Sequence, residues 1–151
     1  MSDIIPLVFI TDQANNAVDF VNDDMKVALL SGTYDDCKLK SLTSYDEIKK
    51  YELSPYYGYQ TGGFVAPNKS INTVDDMLVY DMGDVGMTVH GGTLGPTRYA
   101  VLYDEDVDNH LVYIFDFGED KTVKDGAQFK IKIDDKGLMG AKQMYECDST
   151  N

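Results

Sequence analysis

Two runs constrain this chain more than any other part of it: Thr97-Arg-Tyr-Ala-Val-Leu-Tyr-Asp104 and His110-Leu-Val-Tyr-Ile-Phe-Asp-Phe-Gly118. Aromatic and β-branched residues fill both, and these suit a pleated, buried surface. Between them lie only residues 105–109, polar except for Val107. Two such runs around a short polar loop predict an antiparallel hairpin. Neither strand has a wet face. At period two, Leu111, Tyr113, Phe115 and Phe117 point one way and Val112 and Ile114 the other; Tyr99, Val101 and Tyr103 oppose Ala100 and Leu102. A strand apolar on both faces has to be covered on both. One facing sheet covers one face, so a helix, a loop or another subunit must cover the second. Self-assembly would supply that layer, which makes Ala100, Leu102, Val112 and Ile114 candidate interaction residues.

The rest of the chain reads mainly as further short strands. Residues 4–10 form an apolar run that predicts a first strand, with Pro6 placing it on a sheet edge. Ala14, Ala17, Val18 and Val21 have helical spacing, which predicts a helix over 12–21. Met25 to Ser31 reads as a strand and 33–42 as a loop. Ser44 with Glu47 three residues later fits a capping box, and a short helix through Tyr51 follows from it. The segment 53–63 is rich in tyrosine and glycine, and glycine pairs mark turns or close backbone approach. Short strands are expected at 64–65, 69–74, 77–82, 84–90 and 138–144. Residues 128–134 alternate most cleanly, with Phe129, Ile131 and Ile133 inward and Lys130 and Lys132 outward. Strands at this spacing predict an all-β fold: an antiparallel β-sandwich of eight or more short strands with one or two short helices. Residues 1–145 read as a single domain and 146–151 as a polar tail.

Charge narrows the function. The chain has 151 residues and a formal net charge of −13. Affinity for nucleic acid comes from Lys and Arg neutralising phosphates, so this balance excludes a nucleic-acid coat protein and disfavours anionic membranes. The only cysteines, Cys37 and Cys147, are far apart and lack metal-site spacing. They read as free thiols of a reducing compartment. No signal-like stretch opens the chain, which points to folding in a cytoplasm.

Candidate chemistry is sparse. Asp104-Glu-Asp-Val-Asp-Asn109 begins like a calcium loop, with carboxylates at alternate positions. The pattern then departs from an EF-hand: Asn109 stands where glycine is needed and Phe115 where a bidentate glutamate is needed. The expected reading is a solvated acidic hairpin tip, with a looser cation site as the alternative and no metal assigned. His90 and His110 share no motif that would make a zinc site or a nucleophile's base. No glycine-rich loop leads from a strand into a helix with a lysine. Acidic residues are plentiful, but none stands out as a glycosidase pair. No catalytic residue and no cofactor is therefore expected. Tyr51, Tyr56, Tyr57 and Tyr59 cluster beside the Gly62-Gly63 turn. They read either as a contact patch for sugar or protein, or as packing that plugs the end of the sandwich.

Several segments, taken in order, carry a resemblance: Asp24-Met-Lys-Val-Ala-Leu-Leu-Ser31, Gly58-Tyr-Gln-Thr-Gly-Gly63, Asn68-Lys69, Asp84-Val85, Arg98-Tyr-Ala-Val-Leu-Tyr-Asp104, Asp116-Phe-Gly118 and Phe129-Lys-Ile-Lys-Ile-Asp134. Together they resemble small virion structural proteins of tailed bacteriophages, described as head-fibre, decoration or neck and tail components. The resemblance spans about residues 20–140 and implies no catalytic residues. It implies a non-enzymatic protein of the virion, assembled in the host cytoplasm. Its expected partners are its own copies and other virion proteins such as the major capsid protein. The charge favours the outside of the shell. The alternative is a tail or receptor-binding module that contacts host-surface glycan through the tyrosine-rich loop.

Overall fold

The computed structural model describes residues 3–31, 39 and 41–142. Cys37, Cys147 and the 146–151 tail lie outside the described residues. Among the described residues the fold is mostly β, with antiparallel sheets and one α-helix. In chain order the elements are α1 (Leu7–Ala14), β1 (Met25–Ser31), two 3-10 turns (Tyr45–Glu47 and Lys49–Tyr51), β2 (Phe64–Val65), β3 (Ser70–Val74), β4 (Met77–Asp81), β5 (Val85–Thr88), β6 (Leu94–Asp104), β7 (His110–Val123), β8 (Gln128–Ile131) and β9 (Met139–Lys142). A four-stranded sheet runs β2-β1-β6-β7, a three-stranded sheet β3-β4-β9, and a pair β5-β8. Residues of all three sheets meet in one shared hydrophobic core. The two strands of the central hairpin are longer than expected.

The hairpin is sealed on both faces, and this chain supplies both covers. On one face Ala100, Leu102, Val112 and Phe115 pack with Tyr80, Val85, Phe129 and Ile131 of the smaller sheets. On the other, Tyr99, Val101, Tyr103, Leu111 and Ile114 pack under Leu39, Leu42, Tyr45 and Ile48, with Ile4 and Val8 alongside. The second cover is thus the 39–51 segment and the amino-terminal helix, not a neighbouring copy. Ala100, Leu102, Val112 and Ile114 have no exposed surface in the single chain. They are core residues, and the expectation that they form an interaction surface is corrected. Burying Leu102, Val112 and Ile114 contributes roughly 1.5–3 kcal/mol each, so an intramolecular cover is strongly favoured over leaving the face wet.

The facing of β7 also differs from simple alternation. Leu102 pairs with Tyr113 but Tyr103 with Leu111, so Val112 is an extra residue, a β-bulge. The bulge reverses the parity of the strand. Leu111 therefore shares a face with Ile114, while Val112, Tyr113 and Phe115 share the other. On β6 the alternation holds: Tyr99, Val101 and Tyr103 oppose Ala100 and Leu102.

The amino-terminal run is the clearest reversal. Residues 4–10 were expected as a strand and 12–21 as a helix. Only Ile4 pairs, with amide bonds exchanged with Ile114 at 2.9 Å. Pro6 then takes φ −68° at the helix N-cap and α1 begins at Leu7. A proline with this fixed φ leads into a helix as readily as it marks a sheet edge. Phe9 and Asp12, three residues apart, are the buried face. Phe9 sets its ring edge against Tyr80, and the Asp12 carboxylate bonds His110 Nδ1 at 2.9 Å. Asn16 stops the helix in the left-handed region at φ 55°. Its amide donates to Gln13 O, and that of Ala17 donates to Asp12 O. This is the Schellman arrangement, for which asparagine is the usual substitute for glycine. Helix α1 packs against β7, the edge strand of the large sheet, whose free edge is bridged by Ile4 at Ile114 and by Ser44 at His110.

Two local expectations hold closely. Ser44 Oγ accepts from Asp46 N, and Glu47 accepts from Ser44 N at 2.8 Å, so the capping box forms, although the helix it opens is 3-10. Lys130 and Lys132 are exposed while Phe129, Ile131 and Ile133 are buried.

Close approach explains the second glycine of Gly62-Gly63. A Cβ at Gly63 would sit 1.8 Å from Val27 O, and its φ is +94°. Both the space and the backbone geometry exclude a side chain. Gly63→Ala is expected to destabilise the fold by roughly 2–4 kcal/mol, lowering Tm by roughly 5–15 °C. Calorimetry of the variant against Gly62→Ala, whose Cβ meets nothing closer than 3.4 Å, checks the claim at equal φ cost.

Candidate functional site

The tyrosine segment divides into two parts. Tyr59 is buried, and its hydroxyl donates to Glu52 Oε2 while accepting from Leu29 N. Tyr45 donates to the other Glu52 oxygen, and Gly62 N donates to Oε2 at 2.8 Å. Tyr103 stacks on Tyr45 at 4.3 Å and donates to Gly62 O. Burial, then the Glu52 carboxylate, pushes the Tyr45 and Tyr59 hydroxyls well above the usual phenol range. These groups stay neutral donors and pin the 45–62 segment over the sheet. Tyr51 is half-buried against the same cluster. Tyr56 and Tyr57 are the exposed pair, at 62% and 39%. The Tyr57 backbone lies at φ 62°, and its ring lies against Gly92, where a Cβ would meet it at 2.3 Å.

A second feature lies at the hairpin tip. Asp104 ends β6, and Asp108 and Asn109 turn the chain in the left-handed region that Asp and Asn tolerate. Asp23 precedes β1, whose Met25 pairs with Asp104. The register therefore carries Asp23 to the tip, where Asp23, Asp104 and Asp106 each place a carboxylate oxygen within 4.8 Å of the others. Asp104 has no exposed surface; Asp23 is half-buried and Asp106 exposed. A backbone amide anchors each one: Asp19 N on Asp23 Oδ2 at 2.9 Å, Asp106 N on Asp104 Oδ1 at 2.9 Å, Asp24 N on Asp106 Oδ2 at 2.8 Å. Asp104 Oδ2 is buried with no hydrogen-bond partner. Burial first, and the facing Asp23 carboxyl second, push the Asp104 carboxyl up to about 8.

A raised carboxyl beside a second one is also a mark of acid–base catalysis. The cleft beside it, about 720 Å³, is lined by Asp19, Asp23 and Asp106 among others. Asp104 does not line that cleft, and its free oxygen has no surface to offer. A general acid must come within hydrogen-bond reach of its substrate. What meets this oxygen has to be no larger than a proton or an ion. The alternating carboxylates of 104–109 were visible in sequence. Asp23 was not, because only the β1–β6 register brings it there.

A third feature is apolar. Ile5, Leu7 and Ile10 are exposed at 39%, 62% and 55%. Ile5 and Ile10 border a groove of about 290 Å³ that Phe9, Tyr80 and Met139 complete. His90 and His110 are not brought together; His110 is spent on Asp12.

No protein-family model matches this chain, and no curated protein or solved structure does. No helix among the described residues is long and apolar enough to cross a membrane.

Below about pH 4 the Asp104 carboxyl is protonated whether the chain is folded or not. Between about 4 and about 8 the folded chain keeps a proton that the unfolded chain gives up, so the stability from this group falls as pH rises and is gone above about 8. Asp104→Asn supplies a neutral donor facing Asp23. In chelator it is expected to raise Tm at pH 8 by several degrees, since relief of about 1–3 kcal/mol is worth roughly 2–4 °C per kcal/mol at this size. Thermal melts of both proteins from pH 4 to 8 check the sign: their difference should grow with pH.

Proposed function

We propose that this chain is a non-enzymatic structural protein of a tailed-bacteriophage particle, a head-fibre or decoration component on the capsid exterior. Its site of assembly is the host cytoplasm, and its partners are its own copies and the major capsid protein. The observation that carries the reading is the exposure of three apolar side chains in one short segment, Ile5, Leu7 and Ile10, on a chain of net charge −13. Exposed apolar surface of this kind is the mark of a contact face on an otherwise well-solvated protein. The ordered resemblance over residues 20–140 and the mostly β fold support the same reading. Because the central hairpin is sealed within the chain, the contact falls to the helix. We assign α1 to the contact between copies.

Light scattering after size exclusion tests this. The native chain is expected as a homo-oligomer, and Leu7→Asp with Ile10→Asp as a monomer. Both sites are exposed, so stability should change by no more than about 0.5 kcal/mol each. Imaging of particles with and without the protein should show regular density on the head exterior. A monomeric native chain that is also missing from purified particles overturns the proposal.

Tyr56 and Tyr57 favour a second reading, a receptor-binding module for host-surface glycan. Their rings stand 5.9 Å apart and exposed, and the Gly92 contact holds one of them in place. On that reading Tyr56→Ala and Tyr57→Ala each weaken binding to host-cell glycan at least about tenfold. Tm should stay unchanged. Equal binding by variants and native chain excludes it.

A further inference from the structure

At the hairpin tip three carboxylates converge, and among the described residues no lysine or arginine forms an ion pair with any of them. The Lys69 ammonium donates to the main-chain oxygen of Asp23. We propose that Asp23, Asp104 and Asp106 form a binding site for one divalent cation, with calcium as its ion.

Spacing is the first argument. Two oxygens that each lie about 2.4 Å from one calcium ion are at most about 4.8 Å apart. The three carboxylates meet that bound. Each is also fixed by a backbone amide on one oxygen, which leaves the other for the ion. The site is therefore largely preorganised, and the carboxylates would not have to be drawn together on binding.

Asp104 is the second and independent argument. Its Oδ2 is wholly buried and has no donor. A buried acceptor left unpaired costs about 1–3 kcal/mol, and more when it is charged. When both carboxyls are ionised, Asp23 faces it with another acceptor, and two acceptors cannot satisfy each other. A cation between them can.

The donor set selects the ion. Carboxylate oxygens suit hard cations, not zinc or copper, which favour nitrogen and sulfur. Magnesium demands a near-ideal octahedron and usually takes only one or two protein carboxylates, keeping several waters. Calcium tolerates irregular shells of six to eight oxygens. Here Asp104 closes the inner side, and exposed Asp106 leaves room for waters to complete the shell. With three carboxylates and water for the remainder, Kd is expected at roughly 0.1–1 mM, the range of weak extracellular modules. The site does not depend on the virion reading.

Calcium chloride titrated into the full, chelator-treated chain by calorimetry tests the proposal, with thermal melts in parallel. One calcium is expected per chain, with magnesium at least about tenfold weaker. Calcium at about ten times Kd should raise Tm. Asp104→Asn and Asp106→Asn should each weaken calcium at least about tenfold. Asp75→Asn with Asp76→Asn, in the exposed β3–β4 turn, should leave it unchanged. Asp106→Asn guards against a folding defect, since Asp106 is exposed and its amide oxygen still accepts from Asp24 N. If the native chain binds no calcium, or if the Asp75/Asp76 variant loses as much as the Asp106 variant, the proposal fails. The second result would mean diffuse screening of an acidic surface.

Discussion

The structure depends on closing both faces of β6 and β7 within one chain. These strands are apolar throughout 99–103 and 111–115, so the hairpin alone would present two wet hydrophobic surfaces there. The smaller sheets bury one face through Phe129, Ile131 and Tyr80. A lid of 3-10 turns buries the other through Leu42, Tyr45 and Ile48. A lid without regular hydrogen bonding needs its own fastening, and Glu52 supplies it. One carboxylate receives Tyr45, Tyr59 and Gly62 and ties the lid to the turn that abuts Val27. Buried polar networks of this kind specify a geometry when fully satisfied. Of the four tyrosines that suggest a recognition patch in the sequence, Tyr59 is a rivet of this lid and Tyr51 packs against it, while Tyr56 and Tyr57 stay exposed.

Much of the sheet was legible from the residues. Met25 to Ser31, the two halves of the hairpin and the 128–133 alternation are set by side-chain period and by turns rich in Gly, Asn and Asp, all local signals. The amino terminus was not legible, because Ile4-Ile-Pro-Leu-Val-Phe-Ile10 carries β-branched residues that suit a strand as well as a buried helix. Docking of Phe9 on Tyr80 and of Asp12 on His110 decides it, and both contacts reach across the chain. The bulge at Val112 was invisible for a related reason. A bulge leaves hydrophobicity unchanged on a strand buried on both faces, so the sequence pattern has no way to mark it.

The acidic site divides along the same line. Asp104 and Asp106 are neighbours in sequence and their alternation is plain. The absence of an EF-hand pattern removed a continuous calcium loop but said nothing about a site assembled from two segments. Asp23 enters because antiparallel pairing sets Met25 opposite Asp104. That register follows from the burial of Val27, Ala28, Leu29 and Leu30 on both faces, since a slip of one residue would exchange every one of them between the two cores. The same core packing that closes the hairpin therefore fixes the spacing of the carboxylates.

Helix α1 joins the apolar and acidic features. Its residue Gln13 lines both the apolar groove beside Ile10 and the cleft that holds Asp23 and Asp106. A partner seated on Ile5, Leu7 and Ile10 therefore approaches uncompensated carboxylates as it buries apolar surface. For two copies at −13 each, the field opposes the contact. Repulsion of this kind is screened over about 8 Å at physiological salt, whereas burial of apolar area is not. Ionic strength thus separates the two terms. A contact of the proposed kind through α1 would be apolar where it touches and repulsive at longer range, so neutralisation at the hairpin tip would act on such association without touching the interface.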